Sequence, residues 1–422
     1  VSIYTPNVNS SVVGIVGFAD KGPTDKATLI TSQANLLKNF GKPNSAIPGQ
    51  GLEGALEILE ATNQLYFVRA AGTGKLAASA NIDLGVAPAF QLSGNWDGEA
   101  ASSVYYSVTN NAGTFVASGL VTLPVTSTTY TTTEAVLFNS FDPTITDDQP
   151  VYAGVDGSNL FLASKFAGSG ATLQLSSTLG DESEDSGLRF IPILPTGAAS
   201  SVAEGNEDEA ADVTLNGFTI SSVDLKAYSL YPGAGYNLSA LRDGTTQGVS
   251  VEVQNRSIKD KIIVNNEGAQ AESFVGSLVA SANDFFEHVL QNDELNAQSD
   301  YIYVNAVSAD GTTEYTGFPD LISAQLETGV DTNGDNINVQ PRFVKLIEGT
   351  YDLAGGDSGY GVTGTDQPDS GSETAIIGTA AAKTGIHALD DDGLNISIAV
   401  VPEELLSFDL ASLRSWHGSR CC

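Results

Sequence analysis

The sequence predicts an α/β core interrupted by inserted β-rich domains, a multi-domain α+β chain whose core pattern appears at both ends. Three observations carry this expectation. Compact apolar strands and helically spaced apolar residues occupy 11–75, and a related pattern returns after 346. Between them, short β-branched and aromatic runs alternate with turns rich in Asn, Gly and Pro. A length of 422 residues also exceeds what a single hydrophobic core usually organises.

In chain order, SVVGIVGFA (11–19) reads as a buried strand that Lys21-Gly22-Pro23 ends with turn chemistry. Leu29-Ile30-Thr31-Ser32 leads into a helix near 33–40, with Ser32 as its N-cap and Gly41 as its stop. Leu52, Ala55, Leu56 and Leu59 fall at i, i+3, i+4 and i+7, which predicts a second helix. Gln64–Ala70 then forms a second strand, so 1–75 is expected as the N-terminal part of the α/β core.

Residues 76–185 are expected as an inserted all-β domain with strands at 103–108, 114–121 and 159–163. The acidic run Asp181–Asp185 reads as a solvated linker. Residues 186–345 are expected as a second inserted domain of mixed character. It holds an acidic run at 204–212, strands near 213–221, 249–254 and 301–307, and helical spacing from Phe274 to Leu290. Residues 346–422 return to the core with a helix near 374–383 and a strand over 395–401, and their C-terminal domain is expected to be truncated.

Charge speaks about partners. The formal net charge is −33, from 18 Lys/Arg against 51 Asp/Glu. Such a chain repels nucleic acid and anionic lipid, and no run approaches the ~20 apolar residues of a membrane-spanning helix, so neither partner is expected. Residues 1–75 carry six bases and five acids, a balance of +1 that leaves −34 on the remainder. A near-neutral unit suits packing against copies, and an acidic one suits water. The cysteines, Cys421 and Cys422, are adjacent and terminal and staple nothing.

Several fragments of chemical motifs fail on inspection. Gly356-Asp357-Ser358-Gly359 spells a serine-protease nucleophile, but His288, His387 and His417 sit in no matching base setting. Asp331–Asn336 opens like a calcium loop, yet Asn336 stands where Gly is needed and Arg342 where a bidentate Glu is needed. Gly72-Thr73-Gly74-Lys75 lacks the leading Gly (Arg69) and the trailing Ser/Thr (Leu76) of a phosphate loop. Gly233-Ala234-Gly235 is not the full dinucleotide fingerprint. Asp390–Asp392 beside His387 has no second His or Cys to complete a metal set. No catalytic, cofactor-binding or metal-ligating residue is therefore assigned, and no enzyme activity is expected.

Three separated segments form an ordered series. The first is VGIVGFADKGP (13–23) with Leu29–Ser32, Phe40-Gly41 and Tyr66–Ala70. The second is Tyr231–Asn237, a strand around 249–253, and Glu272-Ser273-Phe274. The third is Leu353–Gly359, Thr384–Leu389 and Asn395–Pro402. In order and spacing they resemble contractile phage tail sheath proteins. The resemblance covers roughly half the chain and supplies a turn, not a nucleophile, for the Gly-Asp-Ser-Gly motif.

It implies a sheath-like core formed from both sequence ends, with protruding inserts. It also implies a structural subunit that polymerises as stacked hexameric rings around a tail tube, meets baseplate and tail terminator proteins, and contracts. Its place would be the virion tail, assembled in the host cytoplasm, and a bacteriocin or secretion-machine sheath would share the fold. The family's extended terminal arms have no counterpart before the first strand or after Pro402, so the chain is expected to be a fragment or an abbreviated form. The competing expectation is an acidic β-rich surface or adhesion protein binding calcium or glycans.

Overall fold

The computed structural model describes residues 12–87, 89–93, 102–123, 151–156, 159–168, 170–177, 189–193, 203–204, 223–255, 260–276, 278, 284–290, 298–308, 313, 329–330, 336–337, 344–360 and 370–402. The fold is mixed α/β, mostly strands with few helices. The acidic runs at 181–185 and 205–212, the expected strand at 213–221, positions 331–335 and both cysteines lie outside the described residues.

The opening unit follows its local signals closely. Strand β1 (Val13–Phe18) is buried along nearly its whole length. A short strand β2 (Thr28–Ile30) precedes helix α1 (Gln33–Phe40), and the Ser32 Oγ accepts the Asn35 amide at 3.2 Å as its N-cap. Gly41 ends the helix at φ 89°, where a β-carbon would be strained. Helix α2 (Gly51–Ala61) buries Leu52 and Ala55, and strand β3 (Leu65–Ala70) follows.

These strands form a four-stranded sheet whose last member comes from the far end of the chain. Strand β1 lies between β3 and Ile398–Val400, parallel to both, while β2 pairs antiparallel on the outer edge of β3. Alternation sends Leu65 and Phe67 to one face and Val68 and Ala70 to the other. The first face packs on α1 and α2 through Leu36, Phe40 and Leu52, with the Phe40 and Phe67 rings 4.6 Å apart. The second is covered by Ile376, Ile386, Leu389 and Ile396. The side chain of Leu389 occupies the space beside Gly14 that a β-carbon would need.

A second core lies in the middle of the chain. Strand Val223–Ser229 pairs with Ile302–Ser308 on one side and Ser79–Ile82 on the other. A four-stranded antiparallel sheet runs in the order 269–276, 260–266, 249–255, 349–352. Val249, Val251, Val253, Ile262, Val264, Phe285 and Phe286 join Leu225, Ile302 and Val304 in one hydrophobic cluster. Strand Val344–Leu346 closes it by pairing with Leu84–Val86. Residues 79–86 therefore share sheets with segments well over a hundred positions away. Two further four-stranded sheets carry 89–93, 151–156, 159–164 and 189–193, and 102–109, 115–123, 172–177 and 203–204.

Two expected helices are corrected. The helical spacing over Phe274–Leu290 conceals a strand, Ala269–Gly276, paired antiparallel with Asp260–Asn266, and a single helical turn at Phe286–Val289. Phe274 lies opposite Ile262, and that cross-strand neighbour overrides the local period. The helix placed near 374–383 spans Ser370–Ile377 instead, because Gly378 turns the chain at φ 62°.

Asp224 illustrates what this core does to an acid. Its carboxylate is buried beside the Leu84 amide (3.3 Å), and burial, reinforced by Asp83, pushes its pKa up to about 6. A raised carboxylate favours folding most below its unfolded value of 3.8, and that advantage is lost as pH rises through about 6. Asp224→Asn keeps the acceptor and removes the charge. It should match the parent near pH 3 and gain about 1–3 kcal/mol above pH ~6. Thermal unfolding across a pH series checks this, and a pH-independent difference would refute it.

Candidate functional site

The polar centre of the fold is a buried arginine. Arg69 is next to last in strand β3, in a run of apolar residues, and it is wholly inaccessible to solvent. Its Nε donates to the Ala19 carbonyl at 2.7 Å, and its Nη1 to the Gly22 and Pro232 carbonyls at 2.8 and 2.6 Å. Its Nη2 donates to Ser358 Oγ at 3.1 Å. The planar fork of guanidinium donors can address four oxygens in different directions at once, which an ammonium cannot.

Burial pulls the guanidinium's pKa down, and Tyr236, Tyr360, Asp20 and Asp25 act in the opposite sense. Asp20 is itself held: Tyr360 Oη donates to its Oδ1 at 2.6 Å and Asn44 Nδ2 to its Oδ2 at 2.6 Å. Desolvation and the nearby Asp20 push the Tyr360 hydroxyl far above its ordinary range, so it stays a donor at any ordinary pH. Tyr236 accepts from the Gly22 amide at 3.0 Å, and burial raises its pKa to about 12.

The backbone is stitched across the same place. The Gly235 amide donates to the Asp20 carbonyl at 3.0 Å, and the Gly72 amide to the Ser358 carbonyl at 3.1 Å. Asn237 and Gly356 exchange two bonds of 2.9 and 2.7 Å, and Leu76 and Asp357 exchange two of 2.8 and 2.9 Å. Backbones approach so closely that a β-carbon on Gly72 would overlap the Gly359 carbonyl, and one on Gly233 the Asp20 carbonyl. Asp25 adds a fifth segment, accepting from the Gly385 amide at 3.1 Å and lying 3.6 Å from Lys75 Nζ.

Three of the rejected motif fragments therefore meet around Arg69. Ser358, of the protease-like tetrapeptide, is buried and accepts from Arg69. Gly72–Lys75 forms a turn against 357–359, and Gly233–Gly235 leads a one-turn 3-10 helix over Asp20. His387 lies in the 3-10 turn Gly385–Leu389, and Asp391 caps the next turn through the Gly393 amide at 2.8 Å. Among the described residues no group of three or more His, Cys, Asp or Glu is placed to hold a metal ion. Among them too, no helix is long and apolar enough to cross a membrane.

Sequence reasoning included Arg69, Asp20 and Asn237 in the matched segments but assigned them no role. The available signal was a lone arginine in an otherwise apolar strand, since a buried charge demands partners. Asn44 and Tyr360 carried no such signal.

What the fold and this cluster define is a mixed α/β chain whose segments are locked around a polar hub. No protein-family model matches the sequence, and no curated protein sequence matches it. Solved structures with some similarity to this chain include a sheath tail protein from Listeria innocua, at 10% identity and a TM-score of 0.33 over 96% of this chain and 43% of that one. A sheath tail protein from Desulfitobacterium hafniense is similar at 11% identity and a TM-score of 0.32, over 98% of this chain and 46% of that one. The chain spans less than half the length of either, and likeness of this degree bears on neither family nor function.

Proposed function

We propose that the chain is a structural subunit of a contractile tail sheath, polymerising around a tail tube. The observation that carries this reading is the Arg69 hub. The three segments that resemble sheath sequences are far apart in the chain, yet Gly22, Pro232 and Ser358 are bonded to one guanidinium. Residues recognised together as motifs would then be the ones that make a subunit body rigid. A rigid body is what a sheath requires, because contraction moves subunits as units between two packings and stores its energy at their interfaces.

On this reading the near-neutral 1–75 unit, joined to 398–400 by the β1 sheet, makes the contacts around the tube, and the acidic 76–185 and 186–345 regions face solvent. Rings of six, and meetings with baseplate and terminator proteins, belong to the same proposal. Negative-stain microscopy of the purified chain across salt concentrations tests it. Tubes or stacked rings are expected. A strictly monomeric species at every salt, stabilised by calcium, would replace it with a surface or adhesion role.

A further inference from the structure

We infer that this chain is built to fold in molar monovalent salt, with its stability still rising where ordinary proteins have stopped responding. Bases are too few for any arrangement of the surface to neutralise it: 18 Lys/Arg face 51 Asp/Glu, so at least the 33 of the net charge have no base to pair with. The fold then withdraws bases from the surface. Arg69, Lys345 and Lys21 are all buried, the first among carbonyls and the others beside Asp260 and Glu267.

What is left outside is locally repulsive. Helix α2 presents Glu53, Glu57 and Glu60 to solvent, spaced i+4 and i+3 on one face, with no base anywhere in its sequence. Like charges at those spacings oppose the helix, and Glu57 and Glu60 also sit toward its C-terminal end, where the macrodipole disfavours anions. Asp390 and Asp391 stand exposed side by side.

Among the described residues no three such groups gather to hold a metal ion. The requirement is for screening over the whole surface. The Debye length is about 8 Å at physiological salt and about 3 Å at 1 M, so only molar salt isolates carboxylates a helical turn apart. Folding gathers this charge into a smaller volume, so the repulsion opposes the native state until salt removes it. The inference concerns the single folded chain. A salt-stabilised chain that never forms tubes would remove the sheath reading and leave this one standing.

The test is thermal unfolding of the full chain between about 0.1 M and about 3 M KCl. The midpoint should rise by at least about 10 °C and keep rising above 1 M. The variant Glu57→Lys/Glu60→Lys should raise the low-salt midpoint and shrink the salt-induced shift. A parent midpoint that is flat or falls over the range overturns the inference. A rise that the double variant leaves undiminished overturns it too.

Discussion

Arg69→Ala should destabilise the chain by about 3–5 kcal/mol and loosen three distant segments at once. The substitution removes a buried cation and leaves the carbonyls of Ala19, Gly22 and Pro232 and the Ser358 hydroxyl without the donors they have now. Each stranded acceptor costs about 1–3 kcal/mol if water cannot reach it, and partial collapse recovers some of that. Arg69→Lys keeps the charge but has a single tetrahedral donor group, so it should recover only part of the loss. Hydrogen exchange is the most informative measurement. Protection should fall together at 19–23, 232–237 and 356–360, and a loss confined to β3 would show that the hub does not couple them.

The second large effect lies in the other core. Lys345 Nζ is 3.5 Å from Asp260 Oδ1, both side chains are almost wholly buried, and Asp260 Oδ2 accepts the Leu346 amide at 2.9 Å. Burial pushes the Asp260 pKa up, while Lys345 and the Leu346 amide pull it back. Lys345→Met deletes one of those opposing influences and leaves a buried carboxylate, at a cost of about 3–5 kcal/mol near neutral pH. A carboxylate with a raised pKa favours folding below its unfolded value and loses that advantage as pH rises, so the variant's deficit should shrink toward acid pH. Asp260→Asn/Lys345→Met keeps an acceptor for Leu346 and buries no charge. It should lie within about 1 kcal/mol of the parent, above either single variant. A double variant no better than Lys345→Met alone would mean that packing, not charge, sets the cost.

Both effects come from groups whose partners are remote in sequence, and this marks the boundary of what the sequence made legible. Strand β1, helices α1 and α2 and strand β3 were readable because their determinants are local: an apolar run, a Ser32 cap, a Gly41 stop and a four-residue spacing of leucines. The stretch from Phe274 to Leu290 was misread for the complementary reason. Its apolar spacing suits a helix, but pairing with Asp260–Asn266 holds its first part extended. Ser370–Ile377 stops short of its expected end because of Gly378, a cue that is itself local.

The sequence by itself determined the element types near the ends, the strand-rich middle, the acidic surface and the failure of each catalytic motif to complete itself. Those are properties of composition and of neighbours within a few positions. Only the tertiary structure decided that Ile398–Val400 would lie beside β1, that Ser358 would meet Arg69 from 289 residues away, and that Lys345 would face Asp260 across 85. The physical reason is common to all three. A buried strand edge, cation or carboxylate must find a partner, but the demand does not say which partner. Chain topology makes that choice, and the sequence carries it only through the packing of the whole.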